Sequence, residues 1–236
     1  MNAVIATVKL HTNHREQAFA VPAYIIGTVA VVSVLISLVF WRSGSQPGTE
    51  GWIQGSQSNP GIAYALVGFL VYTGVAAMST TFPFALSLGT SRRAFVTGTL
   101  LWQALTAAYV ALILVVLLGI EVATDHWFAG FYIFDIYLLG AGDPWRLVSI
   151  VFLGVFSALS IGGVFAASWT RFGARGPQLI AVGLAVVLLV GVLLALPSLP
   201  ALAEAFRLWW LAILAVGVIA LASVGSWLLL RRAIVR

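Results

Sequence analysis

From Val21 to Trp41 the chain carries no charged side chain. A helix needs about 20 apolar residues to cross a hydrocarbon core of about 30 Å. Five more stretches reach that length, at about 61–88, 96–120, 147–169, 178–196 and 208–230. Runs of this kind constrain the fold more than any other feature, because in lipid every backbone N–H and C=O must find its partner inside the protein. The alternation of apolar and polar residues that marks a barrel strand is missing from these continuous runs. The sequence therefore predicts an all-α polytopic membrane protein: six transmembrane helices in a single transmembrane domain over residues 1–236. Composition excludes the other classes, since 61% of residues are hydrophobic and 8% charged, against roughly 25% charged in a soluble domain. The absence of cysteine excludes a disulfide scaffold, a thiol nucleophile and thiolate metal sites.

An even number of spans puts both termini on one side, and the charges choose that side. Lys9, Arg15, Arg92, Arg93, Arg171, Arg175, Arg231, Arg232 and Arg236 fall on the face of the termini; Arg42, Arg146 and Arg207 fall opposite. Nine against three is a positive-inside bias that makes both termini cytoplasmic. The acids agree, with Glu16 inside and the other six outside. Topology thus accounts for the pI of about 10.1 without any nucleic-acid partner. Residues 1–20 form a cytoplasmic N-terminal segment. The apolar run that follows is too long for the 7–15 residues of a signal peptide's apolar core.

The outer connections differ in kind. Residues 42–60, rich in Gly, Ser, Gln and Pro, read as a flexible polar loop. Residues 121–146 are dense in aromatics and read as an interfacial helix or re-entrant piece at headgroup level. Trp127, Phe131, Tyr132 and Asp135 within it are candidates for an outer gate or interface; the alternative is an aromatic belt that only anchors the protein. Pro197-Ser198-Leu199-Pro200 reads as a tight outer turn. Gly154, Ala158, Gly162 and Ala166 form a stripe of small residues, which serves either packing within the chain or a seam between subunits.

Chemistry-bearing groups are few. Every Asp, Glu, Lys and Arg lies at a span end or in a loop, so no ionisable relay is visible at membrane depth. His11 and His14 have a helical spacing but no third ligand nearby, which reads as two solvated histidines rather than a metal site. No H-E-x-x-H, G-x-S-x-G or Walker A sequence occurs. The expectation is no catalytic residue, no metal and no cofactor on this chain. Gln103, Thr106 and Tyr109 are polar groups inside the third span. They either hydrogen-bond between helices, at about 0.6 kcal/mol each, or line a translocation path.

The most specific stretch is Thr80-Thr81-Phe82-Pro83-Phe84-Ala85-Leu86-Ser87-Leu88-Gly89-Thr90-Ser91-Arg92-Arg93-Ala94-Phe95-Val96-Thr97-Gly98. Pro83 should kink the end of an overlong second span. Gly89 suits a helix stop, and Thr90 or Ser91 an N-cap. The physics predicts a helix, a break, then a short basic helix leading into the third span. This pattern after the second of six spans resembles the ABC-2-type permeases of bacterial ABC transporters, small actinobacterial members in particular. About twenty residues carry the likeness at motif level; span count and topology extend it to the whole chain.

The resemblance implies a bacterial plasma-membrane permease that pairs with a second permease subunit and with two copies of a cytoplasmic ABC ATPase. ATP and Mg would be bound by that partner. It also implies a coupling helix at about 91–96, with Gly89, Ser91, Arg92, Arg93 and Phe95 in the ATPase-coupling element, and an interfacial helix within residues 2–19. The function so implied is transport, in the exporting direction, in contact with membrane lipid; apolar spans with few polar groups fit a hydrophobic or amphipathic substrate better than an ion. Alternatives are a non-transporting structural or assembly subunit, or an ion-coupled carrier or channel.

Overall fold

The computed structural model describes residues 2–13 and 16–233. His14, Arg15 and Arg236, which the sequence reading placed on the face of the termini, lie outside the described residues. Among the rest, six helices are long and apolar enough to cross a membrane: Ala18–Arg42, Glu50–Ser87, Arg92–Ala123, Pro144–Phe172, Arg175–Ser198 and Trp209–Leu230.

The chain opens with α1 (Ala3–Thr12), capped by the Asn2 side chain on Val4 N–H. A π turn at Glu16–Ala20 leads into α2 (Val21–Arg42). The polar stretch that follows is not a flexible loop throughout. Thr49 caps a helix, α3 (Glu50–Gln57), which is held in place by Trp52: its ring is buried and its Nε1 donates to Gly130 O at 2.6 Å. The second span is then three consecutive segments, α4 (Gly61–Ala65), α5 (Val67–Ser79) and α6 (Thr81–Ser87). The bend at Thr80 follows from Pro83, whose ring would clash with the carbonyl of Ser79 in a straight helix. Pro83 itself sits in the first turn of α6, where a missing N–H costs nothing.

The third span is one helix, α7 (Arg92–Ala123). This corrects the expectation of a separate short helix at 91–96. Those residues are the first turn of a 32-residue helix, and the short separate element is α6, upstream of Gly89. Four further helices follow: α8 (Pro144–Phe172), α9 (Arg175–Ala195), α10 (Leu199–Ala205) and α11 (Trp209–Leu230). Leu196–Ser198 adds a 3₁₀ turn, so 197–206 is a turn plus a short helix rather than a tight turn alone.

Helix α8 is the hub, packing against α5, α7, α9 and α11. Its seam with α5 is set by glycines. A Cβ on Gly74 would strike the backbone of Leu159, and one on Gly162 the backbone of Val71. Ala158 and Ala166 are buried with them. The small-residue stripe therefore packs within the chain over three of its four members. Gly154 faces open space. At the other extreme, α9 has no buried residue in its apolar window.

Both described ends of the chain lie at one end of the bundle. Gly98 on α7 admits Thr7 of α1, and Arg92 Nη1 donates to Leu230 O and Arg231 O at 2.9 and 2.8 Å. We call this the terminal face and the opposite one the distal face.

Candidate functional site

On the terminal face the 80–98 stretch builds a capped helix–turn–helix junction. Gly89, at φ +80°, ends α6: its N–H donates to Leu86 O at 2.9 Å, and Thr90 N–H to Ala85 O at 3.0 Å. That pair of bonds is a Schellman motif, which satisfies the last carbonyls of the helix. Ser91 then caps α7, its Oγ accepting from Ala94 N–H at 3.2 Å. Each local signal in the sequence is used, but the side chains sort differently from the expectation. Phe95 is fully buried, 5.1 Å from the Phe82 ring and 5.8 Å from the His11 ring. It is a core residue, not a surface knob. Arg92 is half-buried, binding the C-terminal carbonyls of α11. Arg93 is exposed, and Phe84 and Leu88 stand out at 52% and 65% exposure.

Against this junction lies α1. His11 is buried, 2.9 Å from Thr99 Oγ1 and stacked on Trp102 at 4.8 Å. The expectation of a solvated His11 is therefore overturned. The apolar side chains of α1 gave no hint of this, because its buried face is Thr7 and His11 rather than Val4, Ile5 and Val8.

The three polar residues of the third span do not converge. Gln103 is fully buried in the α7–α8 seam; its Nε2 donates to Leu159 O at 3.2 Å and its Oε1 accepts from Ser160 Oγ at 3.3 Å. Thr106 is buried beside it on the same face. Tyr109 turns elsewhere and donates to Phe19 O at 3.1 Å. Gln103 thus bonds helix to helix.

The distal face holds a polar centre that sequence reasoning missed. Glu121 is fully buried at the end of α7. Its Oε1 accepts from the N–H groups of Ile133 and Asp135, both at 3.1 Å. Its Oε2 accepts from Phe134 N–H at 2.9 Å and from Trp127 Nε1 at 3.0 Å. One carboxylate thereby folds the loop over itself. Of the two readings of 121–146, an interfacial helix or a re-entrant piece, the helix gives way to a tight loop. Asp125, His126, Trp127 and Phe128 all have positive φ, at 50, 57, 60 and 60°. L-residues lose about 1–2 kcal/mol each there. Such a run persists only where surrounding bonds over-determine it.

Around that loop the gate candidates separate. Asp135 is buried, with His126 Nε2 3.1 Å from its Oδ2 and Gln57 Nε2 donating to its Oδ1 at 3.2 Å. Tyr132 stacks on His126 at 3.9 Å. Burial raises the Tyr132 hydroxyl above its usual pKa, helped by the negative charges of Asp135, Asp125 and Glu121. Tyr132 and Trp52 line an uncharged cavity of about 670 Å³ beside the end of α2. Trp127 and Phe131 close the top of a separate apolar cavity of about 690 Å³ between α2 and α7.

Fold and sites together define a multi-pass helical membrane protein. No protein family, curated protein or solved structure matches this chain.

Proposed function

We propose that the chain is the permease subunit of an ABC transporter of the ABC-2 type. It forms the path for a hydrophobic or amphipathic substrate, in the exporting direction, and a separate cytoplasmic ATPase supplies the energy. The observation that carries this reading is the set of side chains exposed at the α6–α7 junction on the terminal face. Phe84 and Leu88 are exposed at the end of α6 and the cation Arg93 in the first turn of α7, with α6 closed by Gly89 and braced by Phe82 in the core. Large apolar side chains presented with a positive charge at the end of a bundle, rather than along its flank, suit a soluble partner better than lipid. The resemblance of residues 80–98 to the coupling region of such permeases points to the same partner. The terminal face is then cytoplasmic, the membrane a bacterial plasma membrane, and ATP and Mg are held by the partner. The uncovered flanks of α9 leave room for lipid and for a second permease subunit.

Purification from native membranes in mild detergent tests this. An ATPase subunit should co-elute, and Phe84→Arg and Leu88→Arg should abolish that association while the chain still inserts and stays monodisperse. If no ATPase co-elutes, or if both variants retain it fully, the reading fails.

A further inference from the structure

The sequence of α11 is apolar throughout, yet its buried residues are only Ala222, Ser226 and Leu230, all toward the terminal face. There it rests on α8, with Gly225 against Val164. Toward the distal face the two helices part. A cleft of about 750 Å³ opens between them, walled by Gly154 on α8 and by Ala212 and Ala215 on α11. Nothing lies within 4 Å of where a Cβ on Gly154 would stand. Helices with small residues on facing sides normally close up to gain dispersion contacts. These do not, and apolar walls of this extent do not hold water well. In a bilayer a chain-like apolar group fills such a cleft.

The mouth of the cleft says which molecule carries that chain. Tyr137, Trp145 and Trp209 stand around it at 54%, 81% and 59% exposure. Exposed Tyr and Trp rings of this kind sit at headgroup depth. Among them is Arg146, also on the lining. Two neighbours flank it. Gly140, at φ +109°, lies so close that a Cβ there would come within 2.6 Å of Arg146 Cβ. Asp143, the N-cap of α8, holds Arg146 Nε at 3.3 Å through its Oδ2. The two terminal nitrogens of the guanidinium have no partner among the described residues. A guanidinium held by its Nε presents those nitrogens for paired hydrogen bonds to a phosphate.

We propose that this cleft binds a membrane glycerophospholipid: one acyl chain lies between α8 and α11, and the phosphate sits on Arg146. The site is independent of any ATPase and of any transport path.

Delipidated protein titrated with phosphatidylglycerol, and read by native mass spectrometry, tests it. The wild type should retain lipid. Gly154→Leu, whose Cβ would meet nothing within 4 Å, extends its side chain into the cleft and should remove that retention. Arg146→Gln should weaken it about tenfold, as for loss of a charge-assisted pair. Gly217→Leu, also in open space but on a different flank of α11, should bind as wild type and so controls for folding. Inorganic phosphate should not compete. Equal retention in Gly154→Leu and wild type, or displacement of the lipid by inorganic phosphate alone, would overturn the proposal.

Discussion

Glu121 organises the distal face through one side chain. A carboxylate accepts all four of its bonds; an amide in its place turns an NH₂ toward at least one N–H of the loop. Glu121→Gln should therefore cost about 2–3 kcal/mol, the range for a buried charge-assisted hydrogen bond lost and a donor left unpaired. It should also speed proteolysis between Thr124 and Asp143 before the bundle melts. Tyr132 makes a second prediction at this scale. Its hydroxyl titrates above the ordinary value of 10.0 in the folded protein, so the fold binds that proton more tightly than the unfolded chain does. The associated stability is complete below pH of about 10 and is lost as pH rises through the raised folded value. Thermal unfolding followed across that alkaline range should show a decline that Tyr132→Phe removes. Sequence reading put Glu121 among ordinary outer acids because three of its four partners lie 12 to 14 residues downstream, and no short-range signal announces a carboxylate closing a loop. Trp127, Phe131 and Tyr132 were legible as a group from their aromatic density, but their division between two cavities was not, nor was the burial of Asp135 against His126 and Gln57.

Among the elements, the small-residue stripe of α8 gives opposite outcomes at equal spacing. Gly162 meets the backbone of Val71 on α5, which cannot rotate away, so Gly162→Ala should destabilise by about 1–3 kcal/mol through overpacking. Gly154 meets nothing, so Gly154→Ala should be neutral or stabilising, by up to about 1 kcal/mol from helix propensity. Melting temperatures of the two variants in one detergent decide this: a smaller loss at Gly162 than at Gly154 would refute the assigned seam. The periodicity of four residues was visible in the sequence, since it is a property of one helix. Which part of the stripe meets a partner depends on where α5 crosses, and that is a property of two. Helix ends were more legible. Gly89 and Ser91 act where the sequence reading put them, because capping bonds reach only two to five residues along the chain; the caps at Thr49 and Asp143 lie in stretches that the reading had as loop.

For the whole molecule, the charge asymmetry predicts a sidedness that labelling reads directly. The chain has no cysteine, so single substitutions give unambiguous thiols. Ser45→Cys, exposed at the distal face, should react with an impermeant maleimide in intact cells. Ser87→Cys, exposed at the end of α6 on the terminal face, should react only after permeabilisation. The reverse pattern would invert the topology and with it overturn the ATPase-facing role proposed for Phe84 and Leu88. Six spans and their approximate limits were determined by the sequence alone, because transfer into hydrocarbon is a sum over about 20 neighbouring residues and needs no tertiary partner. The tertiary structure alone decided that Phe95 is core while Phe84 is surface, that His11 is buried against Thr99 across 88 residues of sequence, and that Gln103 bonds α8 rather than lining a path. In a bilayer every side of a helix is equally apolar, so composition does not mark which side meets protein and which meets lipid. Only the close approach of particular backbones, at Gly74, Gly98 and Gly162, makes that choice.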